Sequence, residues 1–120
     1  MNKWVLLEHK VYSDNSIDIH YDFLVENGID CLTWKFFKLP LLNQASIEIY
    51  KQPNHRLVWL SRIEHELSGN RGLVKRIDHG IFKNVSDKFD SEYYRFILDG
   101  ALLYGLFEIS ADSCRLSKNY

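Results

Sequence analysis

Short runs of β-branched and aromatic residues recur every eight to twelve residues along the chain, and turn-forming residues separate them. The turn signals include the cluster at 13–16 and the dipeptides Asn27-Gly28 and Asp99-Gly100. No apolar repeat with helical spacing continues for twelve residues or more. This pattern predicts a mainly β chain with little helix, arranged as an antiparallel sandwich or barrel.

The individual strands can be placed from the same pattern. Residues 17–26 alternate between polar and apolar side chains and end at a strong hairpin signal. Residues 57–67 are expected to form one long strand or two strands with a bend, and residues 112–120 a polar tail. The other expected strands lie at 4–8, 31–37, 41–50 (after a short helical turn), 73–80, 81–85, 92–100 and 102–110.

The composition is that of an ordinary globular protein. The length of 120 residues fits one domain, which we expect to span residues 1–120. A formal net charge of -1 removes the simplest argument for nucleic-acid binding, a large excess of Lys and Arg, but does not exclude a local basic patch. Cys31 and Cys114 form no disulfide or metal motif, so we expect free thiols and a cytoplasmic location. The short apolar run near the N-terminus is broken by Glu8 and His9, so we expect no membrane association.

A histidine and an aspartate share one face of the strand expected at 17–26. Because strand side chains alternate, His20 and Asp22 point the same way. His9 ends the preceding strand and can lie across from His20, and imidazole plus carboxylate suits Mn, Zn or Fe. Two interpretations stay open, a metal site and an exposed polar face with a stray histidine. The apolar residues of the opposite face, which predict a core, are Ile19, Tyr21, Phe23 and Val25.

Two further polar side chains are candidates for phosphate chemistry, and a third belongs to a possible basic patch. His55 lies at a loop–strand boundary, where it could face a phosphate or transfer a proton; the alternative is a solvated loop histidine. Arg71 lies in the glycine-flanked turn 68–72 and could bind phosphate oxygens, or the segment is a plain hairpin turn. Lys35 belongs to a set of basic residues that form either a patch or solvated strand faces.

Taken together, these stretches resemble a known family. The resemblance is carried, in order, by LLEH, HYDFLVENG, LTWKF, NHRLVW, IEHELSGNRGLVKRIDHGIF and FILDGALLYGLFEIS, and covers roughly residues 4–110. The chain is similar to the 3′-phosphoesterase domain of bacterial DNA ligase D, and more so to short stand-alone relatives of that domain. The more specific motifs are HYD followed by a glutamate, and the G-x-x-G turn followed by a strand with Asp78 and Gly80.

The resemblance implies a single phosphoesterase-like β-barrel domain acting on nucleic-acid 3′ ends in DNA repair. It implies a divalent metal, manganese before zinc, held by His9, His20 and Asp22, and places His55 near the phosphate. A repair ligase or polymerase is the expected protein partner.

The chain departs from the family pattern at several positions. Leu24 stands where the family has a phosphate-binding arginine, Trp59 replaces a tyrosine, and His65 replaces a glycine. Arg71 and Lys35 are the available substitutes for the missing arginine. The alternative is therefore a non-catalytic metal- or anion-binding module that binds DNA ends or repair partners.

Overall fold

The computed structural model describes residues 2–67, 71–86 and 92–118. This part of the chain is mainly β, as the strand-like runs predict, and its only helical element is the 3₁₀ helix Leu57–Leu60. The ten strands of the described residues are β1 (Lys3–Ser13), β2 (Ser16–Asn27), β3 (Asp30–Phe36), β4 (Ile47–Glu48), β5 (Tyr50–Arg56), β6 (Glu64–Leu67), β7 (Gly72–Asn84), β8 (Tyr94–Asp99), β9 (Tyr104–Ile109) and β10 (Ser113–Ser117).

The strands form one antiparallel sheet with the order β4-β10-β9-β8-β7-β1-β2-β3-β5, and β6 also pairs with β7. The edge strands β4 and β5 are consecutive in the chain and are separated by the buried Ile49, so the sheet curls back on itself. Across the described ranges no ladder joins β4 to β5. The sheet is therefore open, and the predicted barrel holds only in a loose sense.

The apolar face of β2 enters the main core. Phe23 and Val25 are buried, and the ring of Phe23 meets Phe107 edge-on at 4.9 Å between centroids. Tyr21 packs at the margin of this core. Ile19 is exposed because the β2–β3 ladder ends at Tyr21, which leaves Ile19 beyond β3. The buried members of the core are Trp4, Leu6, Phe23, Val25, Trp34, Phe36, Ile49, Phe82, Phe96, Leu98, Leu103, Phe107, Ile109, Cys114 and Leu116.

A second apolar cluster lies on the opposite face of the same strands. Leu24 is at its centre and is 0% exposed, because Trp59 and Leu60 of the 3₁₀ helix pack against the cluster. The prediction of strand throughout 57–67 is therefore wrong in its first part: an unbroken apolar run forms a helical turn that covers the sheet. Residues 64–67 do form a strand. The buried members of this second cluster are Val5, Leu7, Leu24, Cys31 and Val74.

The C-terminal segment differs from its prediction as well. The expected polar tail is a strand, β10, because Cys114 and Leu116 alternate into the main core, although residues 119–120 lie outside the described part. The helical turn expected before the strand within 41–50 is instead a tight turn closed by a hydrogen bond from Gln44 N to Leu41 O. Both cysteines are free, as expected, and both are buried. Among the described residues, no helix has the length and apolarity to cross a membrane.

Candidate metal centre

The β1–β2 hairpin places two histidines side by side. Its turn pairs Ser13 with Ser16, and this register puts His9 directly opposite His20. Directly opposed residues of an antiparallel pair share a face of the sheet, and Asp22 follows His20 on that same face one strand period later. The predicted juxtaposition of the three side chains is confirmed by this register.

The three side chains bring their ligand atoms together. Nδ1 of His9 lies 3.2 Å from Nε2 of His20, which lies 3.5 Å from Oδ2 of Asp22. One ligand atom from each residue lies within 4.8 Å of the others. Two ligands that are each about 2.1 Å from a metal, at tetrahedral or octahedral angles, are about 3.0–3.4 Å apart. The His9–His20 and His20–Asp22 spacings therefore fit a single divalent cation held by two imidazoles and one carboxylate.

A backbone carbonyl fixes which nitrogen of His9 is available. Nε2 of His9 lies 2.9 Å from the carbonyl oxygen of Arg71, which can only accept a hydrogen bond. Neutral His9 therefore carries its proton on Nε2 and presents the lone pair of Nδ1 to His20. Metal-bound histidines in proteins have their second nitrogen oriented in the same way, by a carbonyl or a carboxylate.

Gly72 allows this backbone to come so close to β1. Its φ of +105° lies in the left-handed region, and a Cβ there would be 2.0 Å from the carbonyl oxygen of Lys10. Only glycine meets both conditions without displacing the chain. The glycine-flanked turn predicted at 68–72 thus contributes a backbone group to the centre, while residues 68–70 lie outside the described part of the chain.

Lys35 is a cationic residue that the β2–β3 ladder places beside Asp22. Asp22 and Lys35 are directly opposed across β2 and β3, so their side chains share the face that carries the histidines. The ammonium of Lys35 lies 5.4 Å from the ring centroid of Phe37, and that ring meets His20 edge-on at 6.4 Å. Lys35 can therefore supply positive charge to a ligand bound at the centre.

The other two candidates lie differently. His55 is opposite Cys31, which is opposite Glu26, four residues beyond Asp22 on β2. At about 3.4 Å per residue, this is about 14 Å along the sheet from the aspartate. Nδ1 of His55 lies 3.1 Å from the carbonyl oxygen of Pro53. The fold does not bring His55 to the three ligands. Arg71 is exposed and contacts His9 through its backbone carbonyl group.

Sequence reasoning missed two features of this centre. The role of the Arg71 carbonyl could not be predicted, because every residue has a backbone carbonyl and the residue type does not indicate what that group binds. Phe37 left a weak signal: it extends a strand whose alternate residues Trp34 and Phe36 are already buried, so a further aromatic in this run had to serve another face.

The chemistry of the centre follows from its donor set. Two imidazoles and one carboxylate suit Zn²⁺, Mn²⁺ or Fe²⁺, and three protein ligands leave coordination positions for water or substrate. The side chains of His20 and Asp22 are 18% and 13% exposed, so a small ligand can reach the site. No known protein-family model matches the chain, and no curated protein matches its sequence.

Proposed function

We propose that this protein is a divalent-metal-dependent phosphoesterase that acts on nucleic-acid 3′ ends in DNA repair, in the cytoplasm and alongside a repair ligase or polymerase. The observation that carries the proposal is the convergence of Nδ1 of His9, Nε2 of His20 and Oδ2 of Asp22 at one accessible point. The resemblance of the sequence to the ligase D 3′-phosphoesterase domain supports the substrate class.

Each residue of the centre has a distinct task in this proposal. His9, His20 and Asp22 hold the cation, manganese before zinc, and the Arg71 carbonyl orients His9. When bound, a divalent cation supplies positive charge to a phosphate oxygen and polarises water. Lys35 lies beside Asp22 and donates charge-assisted hydrogen bonds to the phosphate.

A 3′-phosphorylated primer on a template, incubated with Mn²⁺ and the full chain, tests the proposal. We expect phosphate release by the wild type and its loss in Asp22→Asn, which keeps the shape of the side chain and removes its charge. Asp112→Asn is the matched control, because Asp112 is an exposed acid on the β9–β10 connection. Equal release by wild type and Asp22→Asn would contradict the proposed role of the centre.

A second candidate is a non-catalytic metal- or anion-binding module that binds DNA ends or repair partners. The burial of Leu24 favours it, because the position of the family arginine is occupied by apolar core and closed off by the 3₁₀ helix Leu57–Leu60. Tight Mn²⁺ binding by the wild type without turnover of any 3′-end substrate would support this candidate and overturn the proposal that the protein is a phosphoesterase.

A further inference from the structure

A row of rings leads outward from the metal centre towards the edge strand β5. Phe37 stands edge-on to His20, and Tyr50 stands edge-on to Phe37 at 5.8 Å between centroids. Phe37 is 57% exposed and Tyr50 is 43% exposed. Single exposed aromatic residues are ordinary, but contiguous rings that begin at a metal centre present flat apolar surface beside a charged site.

The two outer rings form one wall of a cleft. Its volume of about 340 Å³ falls within the range of small-molecule sites. The hydroxyl of Tyr50 donates a hydrogen bond to the carboxylate of Glu48, which lies beside it in the lining. Positive charge borders the cleft as well, from Lys38 in its lining and Lys35 above the ring of Phe37. The residues that line the cleft are Phe37, Lys38, Ser46, Ile47, Glu48 and Tyr50.

We propose that this cleft is a stacking subsite for the nucleobase of the single nucleotide whose phosphate lies at the metal centre. The proposal rests on the proposed function, since it takes the phosphate to be at His9, His20 and Asp22. Planar heterocycles stack on aromatic side chains without regard to sequence, because every base has a π-face. Ser46, Glu48 and Lys38 offer donors and acceptors to the polar edge of the base.

A subsite of this kind should bind a mononucleotide and not require a duplex. If the base and the phosphate of one nucleotide are both held, a mononucleotide contains everything that the site recognises. The net charge of -1 is consistent with this, because the chain as a whole lacks the excess of Lys and Arg that attracts a long polyanion.

Calorimetric titration of the Mn²⁺-loaded full chain tests the subsite. The probes are adenosine 3′-monophosphate and glycerol 2-phosphate, an alkyl phosphate without a ring. We expect the nucleotide to bind about 5- to 150-fold more tightly than the alkyl phosphate, the range for stacking of one base. Tyr50→Leu and Phe37→Leu should remove that advantage, whereas Tyr50→Phe should keep it. Tyr104→Leu is the control, since Tyr104 is a comparably exposed ring on β9.

The outcomes separate this inference from the function on which it rests. A wild type that binds no Mn²⁺ overturns the proposed function and the subsite with it. A wild type that binds Mn²⁺ and both phosphates with equal affinity overturns the subsite alone, as does an undiminished preference in Tyr50→Leu. Because Phe37 contacts His20, the Mn²⁺ affinity of every variant is measured first. If Phe37→Leu lowers the affinity for Mn²⁺, the Tyr50 variants alone decide the test.

Discussion

The carbonyl oxygen of Arg71 lies 2.9 Å from Nε2 of His9, which leaves Nδ1 as the nitrogen of that imidazole that is available to a metal. The two residues are 62 positions apart in the chain. They meet because β7 begins at Gly72, whose backbone packs closely against the backbone of Lys10 in β1. The geometry of the candidate metal centre therefore depends on the β1–β7 contact as well as on the β1–β2 hairpin.

Gly72→Ala should weaken metal binding without changing any ligand. The added Cβ cannot lie 2.0 Å from the Lys10 carbonyl oxygen, so the backbone must shift and carry the Arg71 carbonyl away from His9. Loss of such an orienting group costs about 10- to 100-fold in metal affinity. Mn²⁺ titration measures the effect. Gly28→Ala is the control, because Gly28 also has a positive φ, +72°, but no atom within 4 Å of the added Cβ; equal losses in both variants would remove the Arg71 carbonyl from the account.

Bound metal should stabilise the fold through the three ligands. A ligand that binds only the native state at 100 times its Kd adds about 2.7 kcal/mol to the free energy of unfolding. We expect Mn²⁺ or Zn²⁺ to raise the thermal midpoint of the wild type and not that of His20→Ala. His79→Ala, at an exposed histidine of β7, is the control and should respond like the wild type.

How far the sequence could predict this molecule depended on the range of the interaction. The opposition of His9 and His20 was predictable, because the turn at 13–16 fixes their register within a few residues. The burial of Leu24 was not, because Trp59 and Leu60 cover it from a segment more than 30 positions away, and an alternating pattern does not show what packs on a polar face. The 3₁₀ helix itself was missed because a short apolar run is compatible with both strand and helix.

Leu24 provides a direct test of the second cluster. Because the side chain is fully buried, Leu24→Ala should lower the free energy of unfolding by about 2–5 kcal/mol. Leu24→Arg should be worse, since it buries a charge among apolar side chains. Denaturant titration measures both, with Leu102→Arg as the control at an exposed leucine. A stable Leu24→Arg variant with faster phosphate release would show instead that this position faces the substrate.

The buried thiols should make the fold sensitive to alkali. Burial raises the pKa of Cys31 to about 11, with Asp30 and Glu26 adding to the effect, and burial raises the pKa of Cys114 to about 12. Both thiols ionise in the unfolded chain near pH 9.0, before they ionise in the folded one. Their contribution is therefore complete below pH 9 and is lost as the pH rises towards 11 and 12. Urea unfolding at pH 8 and pH 10.5 should show a smaller decline in a Cys31→Ala, Cys114→Ala double variant than in the wild type. Equal declines would mean that other groups carry the alkaline sensitivity.

Lys35 and His55 should contribute very differently to phosphate release, because only Lys35 lies beside the candidate metal ligands. Lys35 is directly opposite Asp22, so Lys35→Met should lower kcat/KM by about 10²-fold or more, as for other lost donors to a developing charge. Lys35→Arg should recover much of the rate, because it restores the charge. His55 is paired with Cys31, which is paired with Glu26, and this row of residues lies about 14 Å along the sheet from Asp22. We therefore expect His55→Gln to change the rate by less than about tenfold, whereas loss of a proton-transfer group costs about 10²–10⁴-fold. If His55→Gln lost activity by that larger factor with unchanged Mn²⁺ affinity, His55 would contact the substrate, as the resemblance to the ligase D domain implies. The substrate would then have to extend from the metal centre along β2 as far as the paired residues Cys31 and His55.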